Sequence, residues 1–249
     1  MTVLLVRANR NEQDATALAA VGVETLIDPY LSIKAIDKAS AFSRLRAALT
    51  STKPTWLVIT SPNVLNFLDA GLGAGTLSQI LSQTTSLKTA AIGDETARQL
   101  RAFGASEVFQ PLVATSEALA IELCTFPPSI AVLPTGSIAM RDLATALSNA
   151  GFTVVREAIY QTESVIETPS SVAAIAHGDV DAVVLRSPSA VRAFVHYNGL
   201  PKVHVFCTGP TTARQARELG LSVAAVSRDP SPAALADSIA RTLKDQTNA

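Results

Sequence analysis

One pattern occurs twice in this chain and constrains its fold more than any other feature: a short apolar run, a Ser-Pro turn and an apolar-faced helix. The first copy has its apolar run at 56–59 and its turn at 60–62; the second has them at 182–185 and 186–188. A four-residue apolar run is typical of a buried strand, and proline is accepted in the first turn of a helix. We expect a Ser or Thr of each turn to cap the next helix, and the free N–H groups there to hold an anion.

Strand and helix patterns alternate along the whole chain. Extended connectors are predicted at 31–37 and 161–169, one after each of two βαβ units. Such alternation predicts parallel sheets with helices on both faces, and ligand-binding turns at the carboxyl ends of the strands. The predicted strands are 2–6, 23–27, 56–59, 87–92, 107–109, 130–133, 154–160, 182–185, 203–207 and 223–226.

The two halves of the chain match each other in several places, which indicates an internal duplication. Residues 91–99 match residues 207–215, and Tyr30 matches Tyr160. Two lobes are therefore expected. The pattern alone leaves open whether the lobes exchange segments or follow one another, with a boundary at the proline pair 127–128.

Composition narrows the classes of function. Charged residues make up 16% of the 249 residues and the formal net charge is −1, so no broad basic field favours nucleic acid. The apolar start at 1–7 is too short for a signal peptide, and no apolar run is long enough for a membrane span. Cys124 and Cys207 lie in apolar segments and are predicted to be buried free thiols in a reducing compartment. We expect a cytoplasmic protein with no membrane or nucleic-acid partner.

Several local motifs have an ordinary structural interpretation. The glycines of 71–75 follow a helix instead of a strand, so they predict a helix-ending loop and not a nucleotide fingerprint. Ser116 is predicted to cap a helix that runs to Leu123. The three histidines lack metal-ligand spacing, and no metal site is predicted; they are His177, His196 and His204.

Taken together in order and spacing, the motifs resemble uroporphyrinogen-III synthase, the cofactor-free enzyme that closes the tetrapyrrole ring. The resemblance covers nearly the whole chain. It rests on 60–63, 93–97, Gly136 with Arg141 and Leu143, 159–162, 187–191 and 209–213.

The resemblance implies an α/β fold of two flavodoxin-like lobes with parallel sheets, joined by a two-stranded bridge. One lobe is implied to be discontinuous, because the first βαβ unit and the last third of the chain come together. The implied ranges are 1–30 and 164–249 for lobe 1, 38–157 for lobe 2, and 31–37 and 158–163 for the bridge.

The resemblance also implies the reaction. Hydroxymethylbilane, a linear tetrapyrrole with acetate and propionate groups, would lose its terminal hydroxyl to give an azafulvene. Attack at the substituted carbon of the last pyrrole would give a spiro intermediate, which fragments and recloses with ring D inverted. The implied enzyme of heme biosynthesis is a lyase that acts as a monomer without a cofactor, with possible transient contact with the enzyme that makes the bilane.

Residue roles carry over by position. Tyr160 is the candidate catalytic residue, as a general acid or hydrogen-bond donor to the departing hydroxyl; the alternative is a tyrosine at a lobe edge, as expected for Tyr30. The hydroxyl residues have helix capping as their alternative, and the arginines have exposed surface positions. The candidate substrate-binding residues are Arg7, Thr60, Ser61, Asn63, Thr96, Gly136, Arg141, Arg186, Ser187 and Thr212.

Arg186 departs from the resemblance, which leads us to expect a threonine there, as at Thr60. Two other functions stay open at this point. One is a bilobed binding or sensor protein that closes on a small anion without chemistry. The other is a member of the resembled family that has lost its activity.

Overall fold

A computed structural model describes residues 1–138 and 142–247, the last five of them by their backbone alone. The strands are β1 Thr2–Leu5, β2 Glu24–Ile27, β3 Leu31–Ala35, β4 Thr55–Ile59, β5 Leu87–Ala91, β6 Ile130–Gly136, β7 Thr153–Ser164, β8 Ala182–Leu185, β9 His204–Cys207 and β10 Val223–Val226. The helices are α1 Asn11–Ala19, α2 Ala39–Leu49, α3 Asn63–Leu72, α4 Thr76–Gln83, α5 Asp94–Ala102, α6 Ser116–Leu123, α7 Asp142–Asn149, α8 Ser171–His177, α9 Pro188–Asn198, α10 Pro210–Glu218 and α11 Pro232–Thr247.

The chain divides into two compact units, each with one sheet. Unit 1 comprises residues 1–33 and 162–249, and unit 2 comprises residues 34–161. Over the residues that the structure describes, each sheet has five strands, in the order β10-β9-β8-β1-β2 in one and β3-β7-β6-β4-β5 in the other. The predicted α/β class with two parallel sheets is confirmed, whereas the predicted bridge stays a prediction.

The sheet of unit 1 is parallel throughout, and its three central strands β1, β8 and β9 are buried on both faces. β1 lies between β2 and β8, with Leu5 opposite Ile27 on one side and opposite Val184 on the other. Alternate residues of β1 enter different cores: Leu4 packs on one side of the sheet and Leu5 on the other. This two-sided burial explains why the parallel strands read as continuous apolar runs.

In unit 2, the strands β4 to β7 also pair in parallel. Trp56 and Val58 of β4 enter one core, and the intervening Leu57 is fully buried as well. Trp56 contacts two further aromatic rings, with centroids 6.0 Å away for Phe109 and 5.1 Å for Phe126. The strand that organises the first Ser-Pro turn is therefore anchored from both faces.

Some predicted boundaries were wrong. β7 continues to Ser164, through part of the predicted connector. Residues 107–109 are no strand, because Phe109 forms only an isolated bridge with Ala90. α4 was missed, although the preceding glycine loop does end a helix as predicted. Thr115, and not Ser116, caps α6 by accepting a hydrogen bond from the Ala118 N–H at 3.1 Å.

The two cysteines differ in burial and are both free thiols. Cys207 is buried, as predicted, and burial raises the pKa of its thiol to about 11. Cys124 is only half-buried, so the prediction of a buried thiol was wrong there.

We expect iodoacetamide at pH 8 to label Cys124 in the folded protein and to leave Cys207 unmodified, because the thiolate is the reactive form. A thiol with a pKa near 11 is ionised at pH 8 in roughly one molecule per thousand. Peptide mass spectrometry measures both rates, and a urea-unfolded sample, in which both thiols react, is the control. Equal native rates would contradict the assignment.

Within the described residues, no helix is long and apolar enough to cross a membrane.

Candidate functional site

The candidate catalytic residue Tyr160 lies on β7, directly opposite Gly136 at the end of β6. The residue is only 8% exposed, and its ring stacks on Phe67 with centroids 5.3 Å apart and an interplanar angle of 17°. The Ser137 N–H donates to the Tyr160 carbonyl at 2.9 Å. The backbone and the ring of Tyr160 are therefore both held by neighbours within unit 2.

Gly136 is needed for the position of this ring. A Cβ atom added at Gly136 would lie 2.8 Å from Tyr160 Cζ and 3.0 Å from its hydroxyl oxygen. Any side chain there would therefore displace the hydroxyl end of the ring. The structure thus brings two of the predicted site residues into direct contact.

The turn after β4 differs from the prediction. α3 begins at Asn63, and no side chain caps it; the Ser61 carbonyl accepts the Val64 N–H at 3.1 Å instead. The expected cap by Ser61 or Thr60 was wrong. Thr60, Ser61 and Asn63 are half-buried, and the hydroxyls of Thr60 and Ser61 are not used as helix caps.

The second Ser-Pro turn does have the predicted cap. Ser187 Oγ accepts a hydrogen bond from the Ala190 N–H at 3.2 Å and lies 3.2 Å from the Ser189 hydroxyl. Pro188 occupies the first turn of α9, as the pattern predicted. The two turns therefore share sequence and topology but not their hydrogen bonding.

Thr96 and Thr212 occupy equivalent places, each the third residue of its helix, α5 or α10. Both are buried, and the residues before these helices are Gly93 and Gly209, which have no side chain to cap with. Their interpretation as helix caps was therefore wrong. Their interpretation as substrate contacts stays a prediction.

Arg186 binds groups of its own protein. Its Nη1 donates to Asp14 Oδ1 at 3.0 Å, its Nη2 donates to the Pro230 carbonyl, and its side chain is 12% exposed. Arg7 Nη1 lies 3.7 Å from the other oxygen, Asp14 Oδ2, which has no hydrogen-bond partner among the described residues. One carboxylate thus lies beside two arginines, all within unit 1.

Burial controls the electrostatics of this cluster. Burial raises the pKa of Asp14 although both arginines act in the opposite direction. Burial, and then the charge of Arg186, lower the pKa of Arg7. Burial also lowers the pKa of Arg186, against the effect of Asp14.

Asp14 was missed by the sequence reasoning. The buried residues of α1 are Asn11, Asp14 and Leu18, at the three- and four-residue spacing of one helix face. An acidic residue on the buried face of a short helix was the available signal, because such a carboxylate requires a partner.

Tyr30 does not lie at an edge, as was expected. It is fully buried, its hydroxyl lies 2.9 Å from Ser171 Oγ, and it accepts from Asn198 Nδ2 at 3.2 Å. Its ring also contacts Phe194 and Tyr197. The two tyrosines matched by the duplication therefore have different surroundings.

Arg141 lies outside the described residues. Over the described ranges, no group of three or more His, Cys, Asp and Glu residues could hold a metal ion.

The fold matches solved structures of uroporphyrinogen III synthases along nearly its full length. A uroporphyrinogen-III synthetase from Helicobacter pylori matches with a TM-score of 0.64 and 17% identity, covering 97% of this chain and 99% of that one. A mutant uroporphyrinogen III synthase from Thermus thermophilus matches with a TM-score of 0.62 and 18% identity, covering 98% and 99%. At such identities the likeness concerns the fold.

The sequence supplies the family. No curated protein sequence matches the chain significantly. A family model described as uroporphyrinogen-III synthase HemD matches residues 12–237, which is most of the chain and includes both Ser-Pro turns. The chain therefore belongs to the uroporphyrinogen-III synthase family.

Proposed function

We propose that this protein cyclises hydroxymethylbilane to uroporphyrinogen III, with loss of water and inversion of ring D, and that Tyr160 is its catalytic residue. The observation that supports this role is the fixed position of the Tyr160 ring, stacked on Phe67 and against the backbone of Gly136. A group held in this way loses little further freedom when a substrate binds, which favours reaction.

The chemistry required of Tyr160 is limited. A phenol that donates a hydrogen bond or a proton to the terminal hydroxyl of the bilane makes that hydroxyl a better leaving group, and water departs. The azafulvene formed is attacked by the last pyrrole, and the spiro intermediate fragments and recloses. The protein must keep the substrate curled throughout, because the bilane left alone closes without inversion.

The substrate carries several carboxylates, and the candidate binding groups suit them. Helix starts present free N–H groups and the positive end of the helix dipole, as at the first turns of α3 and α9. Hydroxyl groups and two arginines add directed hydrogen-bond donors. The proposed binding residues are Arg7, Thr60, Ser61, Asn63, Thr96, Gly136, Arg141, Ser187 and Thr212. Arg186 was a further candidate, and its guanidinium donates to Asp14 and to the Pro230 carbonyl.

We propose further that the enzyme works as a cytoplasmic monomer without a cofactor. Transient contact with the enzyme that supplies the bilane belongs to the same proposal, because the substrate closes spontaneously to the wrong isomer.

An isomer assay tests the activity. Hydroxymethylbilane is generated in situ, the protein is added, and the oxidised products are separated by chromatography. We expect mainly isomer III with the protein and isomer I in the protein-free control. Isomer I alone, from protein shown to be folded by circular dichroism, would overturn the proposal and favour a small-anion binding protein or an inactive member of the family.

A further inference from the structure

Asp14 occupies a position where an apolar residue is expected. It lies on the buried face of α1 between Asn11 and Leu18, and its side chain is 1% exposed. Burying an unpaired carboxylate costs several kcal/mol or more, so a retained buried aspartate requires partners with positive charge. Its two partners, Arg7 and Arg186, are separated by about 180 residues in the chain.

The sheet brings those partners together. β1 and β8 are parallel neighbours, with Leu5 opposite Val184. Arg7 and Arg186 each follow these paired residues by two positions, so they lie side by side at the carboxyl edge of the sheet. Without a negative group, two such guanidiniums would repel each other. Asp14 supplies that group from α1.

The two arginines beside Asp14 differ in how firmly their guanidinium groups are bound. Arg186 has a hydrogen bond to Asp14 Oδ1 at 3.0 Å and another to the Pro230 carbonyl. Arg7 Nη1 lies 3.7 Å from Asp14 Oδ2, which is longer than a hydrogen bond, and the Arg7 side chain is 26% exposed. Asn11 fixes the backbone beside it, because the Asn11 amide donates to the Arg7 carbonyl at 2.9 Å.

The cluster of Arg7, Asp14 and Arg186 has an excess of positive charge. Two guanidiniums and one carboxylate give one positive charge, and the more exposed and less firmly bound cation is Arg7. Asp14 Oδ2, which has no hydrogen-bond partner within the described part of the chain, lies 3.7 Å from the same guanidinium. The arrangement therefore suits an arginine that is oriented from behind by a buried carboxylate while its outer N–H groups remain for an external anion.

We propose that Asp14 is a positioning residue, which orients Arg7 to bind a carboxylate of the substrate, and that Arg186 neutralises Asp14 instead of contacting substrate. The proposal rests on the proposed function, because the carboxylate is that of the tetrapyrrole. It replaces the expectation that Arg186 binds substrate and explains the departure from threonine at that position.

A double-mutant cycle tests the proposal with Asp14→Asn, Arg7→Ala and the combined variant. We expect Asp14→Asn to raise KM for the bilane about tenfold, as for members of one interacting network, with a smaller change in kcat. In the Arg7→Ala background, Asp14→Asn should change KM by less than about twofold, because the residue through which it acts is gone.

The KM value separates positioning from folding. Loss of folded protein lowers the apparent kcat and leaves KM unchanged, whereas misplacing Arg7 raises KM. Glu218→Gln is the matched control, since the Arg214–Glu218 ion pair has the same 3.7 Å separation but is exposed; its KM should stay that of the wild type. Arg186→Lys, which keeps a charge beside Asp14, should raise KM less than Asp14→Asn.

The dissociation constant of uroporphyrin III, the oxidised octacarboxylate product, is measured for the same proteins by fluorescence titration and needs no turnover. If the wild type forms only isomer I, the proposed function is refuted. The dissociation constants of the same four proteins would still show whether Asp14 acts on anion binding through Arg7. Equal effects of Asp14→Asn with and without Arg7 would overturn the proposal, as would an unchanged KM in Asp14→Asn or in Arg7→Ala.

Discussion

Replacing Tyr160 by Phe should lower kcat for isomer III formation about a hundredfold, the lower end of what general-acid catalysis contributes. The substitution removes only the hydroxyl. The ring that stacks on Phe67 at 5.3 Å stays, so the fold should be retained. Steady-state formation of isomer III at saturating substrate gives kcat, and thermal unfolding shows that stability is unchanged.

Gly136→Ala tests the position of the phenol instead of its chemistry, because it keeps the hydroxyl of Tyr160 but displaces the ring. A Cβ at this position would lie 2.8 Å from the end of the Tyr160 ring, so the ring must move. Displacements of about 1 Å cost up to about a hundredfold in rate, and we expect a loss in that range. Full activity in both variants would exclude Tyr160 from the chemistry.

The matched control is Tyr30→Phe, since Tyr30 is the counterpart of Tyr160 in the duplicated sequence. Its hydroxyl interacts with Ser171 and Asn198 inside unit 1. Its loss should leave kcat near that of the wild type. A hundredfold loss of kcat in Tyr30→Phe would show that any buried tyrosine hydroxyl has this effect.

Tyr30→Ala should lower the free energy of unfolding by about 4 kcal/mol, as for large aromatic side chains removed from a core. Tyr30 is among the largest fully buried side chains. Its ring centroid lies 5.9 Å from that of Phe194 and 5.7 Å from that of Tyr197. Removing the ring leaves a cavity beside these aromatics and removes the hydroxyl that interacts with Ser171 Oγ. The Asn198 amide loses one hydrogen bond but keeps the one to the Phe194 carbonyl at 3.0 Å.

Urea unfolding followed by circular dichroism measures the loss, and hydrogen exchange locates it. Tyr30→Phe should lower the free energy of unfolding by about 2 kcal/mol, because it keeps the ring but leaves the buried Ser171 hydroxyl without Tyr30 and Asn198 with one hydrogen bond fewer. Exchange should rise in unit 1, where Tyr30 lies. A loss below about 1 kcal/mol in Tyr30→Ala would contradict the packing described here.

Much of the architecture could be predicted because it follows from local patterns. The apolar run at 182–185 became β8 with the predicted bounds, and the Ser187 cap and the first-turn Pro188 of α9 followed from the adjacent residues. α4 was missed because its eight residues follow two glycines that read as loop. Local sequence also could not show that the Ser61 carbonyl would replace its hydroxyl at α3.

The candidate site was less predictable because its contacts join distant residues. The Ser-Pro pattern marked Arg186, but its partner Asp14 is 172 residues away and reaches it only through the pairing of β1 with β8. Tyr30 read as an edge residue because its partners, Ser171 and Asn198, are likewise far along the chain. Periodicity assigns a residue to a face of an element, whereas such pairs depend on which elements become neighbours.

The composition of unit 1 from residues 1–33 and 162–249 has a consequence for synthesis on the ribosome. Val3 of β1 pairs with Ala182 of β8. The first strand therefore leaves the exit tunnel long before its neighbour β8 has been synthesised. All of residues 34–161 emerge in between and can fold as unit 2. Until β8 appears, the nascent chain carries an apolar β1 whose only sheet partner is β2, and it is then open to chaperones and to wrong pairing.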